Sequence, residues 1–273
     1  YLIIDKNILD LYEINFSRKS NLFVINALEL NKNLKTVIEL INKLTESQIS
    51  KGSKVLAIGG GIIQDIAACA CALFRRGQPF IYMPTTTLGQ LDSCIGAKCA
   101  VNTSKAKNIV GLFSAPSMVL IPTFMIETMN LIEHRAGLSE MLRLCLTLSN
   151  NAVTKYIKYL NDISTPDKLK SAKYLNTLKL SLCIKKSVVE FDEYENDIRR
   201  SMNYGHTFGH AIEKLSNYQI PHGLAVLLGM HISNIYSNSI NLMSKQVLDR
   251  VTDSIYRTLF GLNIDLNKII TFK

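Results

Sequence analysis

Val55-Leu56-Ala57-Ile58-Gly59-Gly60-Gly61-Ile62-Ile63-Gln64-Asp65 sets an unbroken apolar run directly before three glycines and a second apolar segment that ends in a carboxylate. Four apolar residues ahead of a glycine turn predict a buried strand, and the residues after the turn predict a helix. Backbone amides at such a helix start can face a pyrophosphate, which makes the segment a candidate phosphate cradle. The spacing is not Gly-x-Gly-x-x-Gly, so the ordinary dinucleotide fingerprint is absent, and a tight turn is the plainer explanation of a triple glycine.

The same rhythm recurs outward from this stretch. Leu2-Ile3-Ile4, Leu22-Phe23-Val24-Ile25, Phe80-Ile81-Tyr82-Met83 and Met118-Val119-Leu120-Ile121 are further short apolar runs, separated by amphipathic patterns. Alternation of this kind predicts a parallel sheet covered by helices. From about Thr123 onward the β-like runs stop, and helices are predicted near 133–149, 151–160, 167–191, 205–216, 223–243 and 245–260. The expectation is an α/β domain over 1–123 and an all-α domain over 124–273, packed together with a ligand cleft between them.

Composition narrows the function classes. Of the 273 residues, 47% are hydrophobic, enough for a large core. No apolar run reaches the roughly 18 residues of a membrane span, and Tyr1-Leu2-Ile3-Ile4-Asp5 predicts a buried strand rather than a signal peptide, so neither a membrane nor an export role is expected. The six cysteines, at 69, 71, 94, 99, 145 and 183, show no Cys-x-x-Cys spacing and are expected to be free thiols in a reducing cytoplasm. The net charge of +9 is spread along the chain with no dense basic block, which argues against nucleic acid and suits a phosphate-bearing small substrate.

Several segments carry candidate chemistry. In Asn203-Tyr204-Gly205-His206-Thr207-Phe208-Gly209-His210, two imidazoles lie one helical turn apart, and Pro221-His222-Gly223 adds a third at the start of the next predicted helix. Three of the five histidines thus fall in one segment, where a single metal ion could collect them; a polar helix face is the competing explanation. Glu140, within Gly137-Leu138-Ser139-Glu140-Met141-Leu142-Arg143, forms either a local ion pair with Arg143 or the oxygen ligand that completes a zinc site with an open position. Pro84-Thr85-Thr86-Thr87 supplies hydroxyls at the C-terminal edge of the sheet. Asp92, Lys98, Asn102, Lys107 and Asn108 form a polar series suited to an anionic, hydroxyl-rich ligand. Lys185, Asp192, Glu193, Glu195 and Arg199 lead into Asn203 and, taken alone, predict a solvated helix face.

Taken in order from about Asp5 to Met230, these motifs resemble the 3-dehydroquinate synthase family of sugar-phosphate cyclases. The family's triple-glycine turn ending in Asp is similar to Gly59 to Asp65, and its Arg-Gly, strand and Pro-Thr-Thr to Arg76-Gly77 and Pro84-Thr85-Thr86. Its Asp-Ser-x-x-Gly-x-Lys-x-x-Val-Asn resembles Asp92 to Asn102, its Lys-Asn resembles Lys107-Asn108, and its Asp-Glu-x-Glu, Arg and Asn-x-Gly-His resemble Asp192 to His206. The resemblance implies a Rossmann-like NAD-binding domain over 1–123 and a helical metal- and substrate-binding domain over 124–273. It implies zinc, with cobalt as a substitute, on Glu140, His206 and His222. NAD would meet Asp5, Glu29, Lys32, Gly60, Gly61, Asp65, Thr85, Thr86 and Lys107. Asp92, Lys98, Lys185, Arg199, Asn203 and His210 would carry catalysis, and Arg76, Asn108 and Arg143 would bind substrate. An arginine at the position of Arg76 reaches a neighbouring subunit's substrate phosphate in relatives, which implies a homodimer.

The implied reaction converts 3-deoxy-arabino-heptulosonate 7-phosphate to 3-dehydroquinate and phosphate, in the shikimate pathway of aromatic amino acid biosynthesis. Two departures stand out: relatives usually carry Lys where this chain has Arg143 and Glu where it has Leu224. The chain begins at Tyr1 and ends at Lys273, ahead of a region from which relatives supply another substrate-binding lysine, so its ends are not taken as biological boundaries. A sister cyclase with another substrate, a metal-dependent polyol dehydrogenase and a non-catalytic paralogue are the competing readings.

Overall fold

Val55–Gly59 forms β3, the middle strand of a five-stranded parallel sheet in a computed structural model that describes residues 1–14, 21–148, 150–166, 172–259 and 261–262. In chain order the strands are β1 (Leu2–Asp5), β2 (Leu22–Ile25), β3, β4 (Phe80–Pro84), β5 (Lys98–Val101), β6 (Val110–Phe113) and β7 (Met118–Val119). The parallel sheet runs β2-β1-β3-β4-β7. All five apolar runs identified in the sequence are therefore strands, although the last is confined to Met118–Val119. Ile3, Ile4, Val55, Ala57 and Tyr82 are buried, as covering on both faces requires.

The chain divides into two units, Tyr1–Thr123 and Phe124–Lys273. In the first, α1 (Lys6–Leu11) follows β1, α2 (Leu34–Glu46) follows β2 and α3 (Gly61–Leu73) follows β3. Helix α2 starts where Asn33 Oδ1 accepts the Thr36 N–H at 3.0 Å, and it buries Val37, Leu40 and Leu44 at helical spacing. Register places Gly59 opposite Pro84, so the glycine turn after β3 and the threonines after β4 leave the sheet side by side. A Cβ on Gly60 would stand 2.8 Å from Thr86 Cγ2, so only glycine permits that approach without a shift.

The antiparallel β5–β6 hairpin is absent from the sequence-based expectation, which takes 92–111 as a polar stretch. Its register runs from Lys98 opposite Phe113 to Val101 opposite Val110, with Cys99 and Val101 buried and Lys98 exposed. The hairpin packs on α3.

The second unit is helical: α4 (Leu131–Leu148), α5 (Asn150–Ile163), α6 (Ala172–Val189), α7 (His206–Leu215), α8 (His222–Ser239) and α9 (Lys245–Leu259). Helix α5 exceeds the predicted 151–160 at both ends, and α8 stops short of the predicted 243. Positions 149, 167–171 and 260 of the expected helices lie outside the described residues. Every residue of α4 from His134 to Cys145 is buried, and α5, α6, α8 and α9 all pack against it. Two polar residues in that stretch reach backbone carbonyls: His134 Nε2 lies 2.7 Å from the Ile163 carbonyl oxygen, and Arg135 Nη1 donates to the Thr258 carbonyl at 2.9 Å. No described helix is long and apolar enough to cross a membrane.

Helix α8 begins pressed against α4. A Cβ on Gly223 would lie 2.0 Å from the Ala136 carbonyl oxygen, a contact with backbone that no side-chain rotation relieves. Gly223→Ala is therefore expected to destabilise the protein by about 2–3 kcal/mol. Chemical denaturation checks it, and a loss below about 0.5 kcal/mol would show that α4 and α8 are not in this close contact.

Candidate metal and active site

The approach of α8 to α4 brings His222 to Glu140. His222 is the first residue of α8, His206 is the first of α7, and His210 follows one turn later on the same face. The ring centroids are 5.3 Å apart for His206 and His210, 5.1 Å for His206 and His222, and 5.7 Å for His210 and His222. One nitrogen from each ring can be chosen so that all three lie within 4.8 Å of one another. His210 is the exposed member of the three.

Glu140 enters from α4, 2% exposed. Its Oε2 accepts from Arg143 Nε at 2.6 Å, while Oε1 is buried, has no hydrogen-bond donor among the described residues and lies 3.7 Å from His222 Nε2. On the opposite side of the His222 ring, Nδ1 is 3.0 Å from Glu213 Oε2. With Nδ1–H donating to Glu213, Nε2 keeps its lone pair on the side of Glu140.

The protonation balance suits a cation. Burial pulls His206 down to about 4 against the charge of Glu140, with Arg143 and the neighbouring imidazoles adding to the depression, so the ring is neutral at pH 7. Burial also pulls His222 down, but its hydrogen bond to Glu213 and the charges of Glu140 and Glu213 outweigh that and raise it. A divalent cation would take the place of the proton that these carboxylates favour. A tetrahedral zinc ion held at about 2.0–2.2 Å separates its ligands by roughly 3.3–3.5 Å, close to the gap between Glu140 Oε1 and His222 Nε2. An orphaned buried carboxylate oxygen beside a neutral imidazole thus fits the metal implied by the sequence resemblance.

Around these donors the loop after α6 is not the solvated helix face expected from its charges. Asp192 is buried in a turn, where Oδ1 accepts from the Asn196 N–H at 2.9 Å and Oδ2 from the Asp197 and Arg199 N–H groups at 2.8 and 3.0 Å. Burial pushes the Asp192 carboxyl up, yet these donors and the Arg199 charge hold it below its usual range. The result is a fixed loop from which Arg199, 2% exposed, donates to the Glu193 carbonyl, and Asn203 Nδ2 donates to Glu195 Oε1 at 2.6 Å. Lys185 stands half-buried on α6, which packs against α4 and against residues 198–203. Arg143, expected to meet substrate, is 4% exposed, with Nε on Glu140 and Nη1 on the Met202 carbonyl.

The other candidates lie in the first unit and form their own group. Lys32 Nζ is 2.5 Å from Asp65 Oδ2 and donates to Asn108 Oδ1 at 2.7 Å. Asn102 Nδ2 donates to Glu29 Oε1 at 2.7 Å, and Lys107 Nζ lies 3.8 Å from the same oxygen. Glu29, Lys32, Asp65, Lys107 and Asn108 are thus gathered at the β5–β6 hairpin. Asp65 is raised by burial in spite of Lys32. Gly60 and Gly61 open α3 beside Thr85 and Thr86, with the Thr85 N–H donating to the Gly59 carbonyl at 3.0 Å. Asp5 ends β1 and caps α1 through the Asn7 N–H at 3.0 Å. Asp92 is buried in the turn Gly89–Ser93, and Lys98 is exposed at the start of β5. Arg76 is exposed in a left-handed backbone conformation, with φ of 63°.

Glu213 is the residue that sequence reasoning left unassigned. Its only signal was position, seven residues after His206 and three after His210, which puts all three on one face of α7.

Residues 22–136 match the sequence family described as 3-dehydroquinate synthase N-terminal, and residues 137–271 match that described as 3-dehydroquinate synthase C-terminal. The 3-dehydroquinate synthase of Thermoanaerobacter sp. (strain X514) is 35% identical over 266 residues, covering 94% of this chain and 74% of the relative. Among solved structures, 2-epi-5-epi-valiolone synthase from Streptomyces hygroscopicus subsp. jinggangensis 5008, with NAD+ and Zn2+ bound, superposes with a TM-score of 0.86 at 26% identity, covering 97% of this chain and 76% of that one. A 2-deoxy-scyllo-inosose synthase complexed with carbaglucose-6-phosphate, NAD+ and Co2+ also gives 0.86 at 26% identity, covering 97% and 75%.

His206→Ala removes a neutral, half-buried donor, and zinc affinity is expected to fall by more than about 100-fold. Competition against a chromophoric chelator reads this, and unchanged affinity would remove His206 from the donor set.

Proposed function

The chain belongs to the 3-dehydroquinate synthase family, and from that membership we propose that it converts 3-deoxy-arabino-heptulosonate 7-phosphate to 3-dehydroquinate and phosphate. In this reading it is an NAD- and metal-dependent carbon–oxygen lyase, with zinc in the site and cobalt as a substitute. The observation that carries the reading is the donor set of Glu140, His206 and His222, in which a buried carboxylate oxygen lacks a hydrogen-bond donor and faces an imidazole nitrogen. Relatives solved with NAD+ and either Zn2+ or Co2+ support the cofactor pair.

When bound, the metal would supply Lewis-acid polarisation of a substrate hydroxyl, and NAD would supply reversible hydride acceptance. The chain's own residues do the rest. Glu140, His206 and His222 hold the cation, and Arg143 fixes the Glu140 carboxylate through Oε2. Arg199 and Asn203, presented by the loop that Asp192 organises, bind anionic and hydroxyl groups of the substrate. His210, exposed beside the donors, is placed to move protons, and Lys98, Lys185 and Asp92 are assigned the catalytic roles that the family resemblance implies. The Glu29, Lys32, Asp65 and Lys107 network, with Gly60, Gly61, Thr85, Thr86 and Asp5, holds the dinucleotide.

Arg76 is assigned to a neighbouring subunit's substrate phosphate, which makes the working form a homodimer. The left-handed backbone at Arg75 and Arg76, at φ of 49° and 63°, is the kind of strain that clusters at functional positions. A cytoplasmic location suits the free cysteines among the described residues, five of them buried.

A sister cyclase with another substrate is the second reading, favoured by two observations. The two solved relatives at a TM-score of 0.86 are such cyclases, and this chain has Arg143 and Leu224 where the family resemblance implies Lys and Glu. Identity favours the first reading, at 35% against 26%.

Zinc- and NAD-loaded protein is expected to release phosphate from 3-deoxy-arabino-heptulosonate 7-phosphate, form 3-dehydroquinate and accumulate no NADH, all of it abolished by chelator. Loaded protein that releases no phosphate from this substrate would contradict the assignment. Steady NADH accumulation would instead indicate a dehydrogenase.

A further inference from the structure

A metal-bound imidazole has two ring nitrogens, and what the second one meets decides which tautomer the first offers to the ion. Among the described residues, His206 Nδ1 meets the Tyr204 backbone oxygen, at 3.4 Å. His222 differs: its Nδ1 lies 3.0 Å from the Oε2 of Glu213, a carboxylate only 7% exposed. Burying a carboxylate is unfavourable unless it is given donors, and the His222 N–H supplies one. Seven residues make nearly two full helical turns, so α7 carries His206, His210 and Glu213 along one face toward the first residue of α8.

The family resemblance implies a glutamate at the position of Leu224, two residues after His222. Here Leu224 is 0% exposed and packs with Ala136, Ile212, Ile220 and Ala225, so that position offers His222 no carboxylate. Glu213 is the acid that touches the far side of the ring, as Glu140 touches the near side at 3.7 Å from Nε2.

We propose that Glu213 is the positioning residue of this metal centre: it accepts the Nδ1–H of His222 and thereby fixes the ring's orientation and leaves Nε2 as the coordinating nitrogen. The inference rests on the reading of Glu140, His206 and His222 as metal donors. A ring without this partner distributes its proton between both nitrogens and rotates, and each zinc-binding event must then reorder it.

The test uses the full chain in four forms: unaltered, Glu213→Gln, Glu213→Ala and, as a control, Glu190→Gln at an exposed surface pair. Zinc affinity is read by chelator competition, and the His222 tautomer by nitrogen NMR of the metal-free protein. Glu213→Ala is expected to weaken zinc by about 10–100-fold and to lose the single Nδ1–H tautomer, and Glu213→Gln, whose amide oxygen still accepts, to lose less. The control is expected to match unaltered protein. If Glu213→Ala fails to fold, the isosteric Glu213→Gln carries the comparison. Zinc affinities within about threefold of the unaltered protein, or weakened binding with an unchanged tautomer, would overturn the positioning role. Unaltered protein that binds no zinc would overturn the metal reading itself.

Discussion

Glu140 places a carboxylate in the middle of a helix whose residues from His134 to Cys145 are all buried, and both of its oxygens must be answered there. One is met by Arg143 at 2.6 Å, which also ties α4 to the backbone at Met202. The other faces His222 without a hydrogen bond. An uncompensated buried carboxylate oxygen is costly, so its persistence points to a positive partner that arrives from outside the chain. Much of the second unit serves this constraint. Gly223 permits α8 to touch α4, α7 delivers His206 and His210 to the same place, and Glu213 closes the arrangement behind His222.

The first unit meets a comparable demand with internal pairs. Lys32 is nearly buried, and its ammonium sits between Asp65 and Asn108, while Glu29 collects Asn102 and Lys107. These groups hold one another at the β5–β6 hairpin. The contrast is informative: polar residues here are largely satisfied by neighbours, whereas the α4–α7–α8 site leaves a carboxylate oxygen unanswered. The first arrangement suits recognition of a hydroxyl-rich ligand by exchange of hydrogen bonds, the second suits capture of a cation.

How much of this was legible in the sequence follows from what kind of signal each part leaves. The five parallel strands are short apolar runs before polar or glycine-rich turns, and burial on both faces of the inner strands makes such runs conspicuous. The β5–β6 hairpin left no such run, because Lys98 and Phe113 are exposed members of an alternating pattern set among polar residues. His206 and His210 share a helix face by spacing alone, and His222 opens a helix where the Pro-His-Gly boundary predicts one. Asp192 and Glu213 were hidden for a different reason. A carboxylate in a charged loop or on an amphipathic helix has the sequence appearance of a solvated group, and only the packing of α7 on α8 and the turn at 192–199 turn these two inward.

The central claim is that Glu140, His206 and His222 hold one metal ion, and an anomalous-scattering map of zinc-loaded crystals at the zinc edge tests it most directly. The account predicts a single strong peak about 2.0–2.2 Å from Glu140 Oε1 and from one ring nitrogen each of His206 and His222. A peak at other residues, or none at this site in crystals grown with zinc, would contradict it.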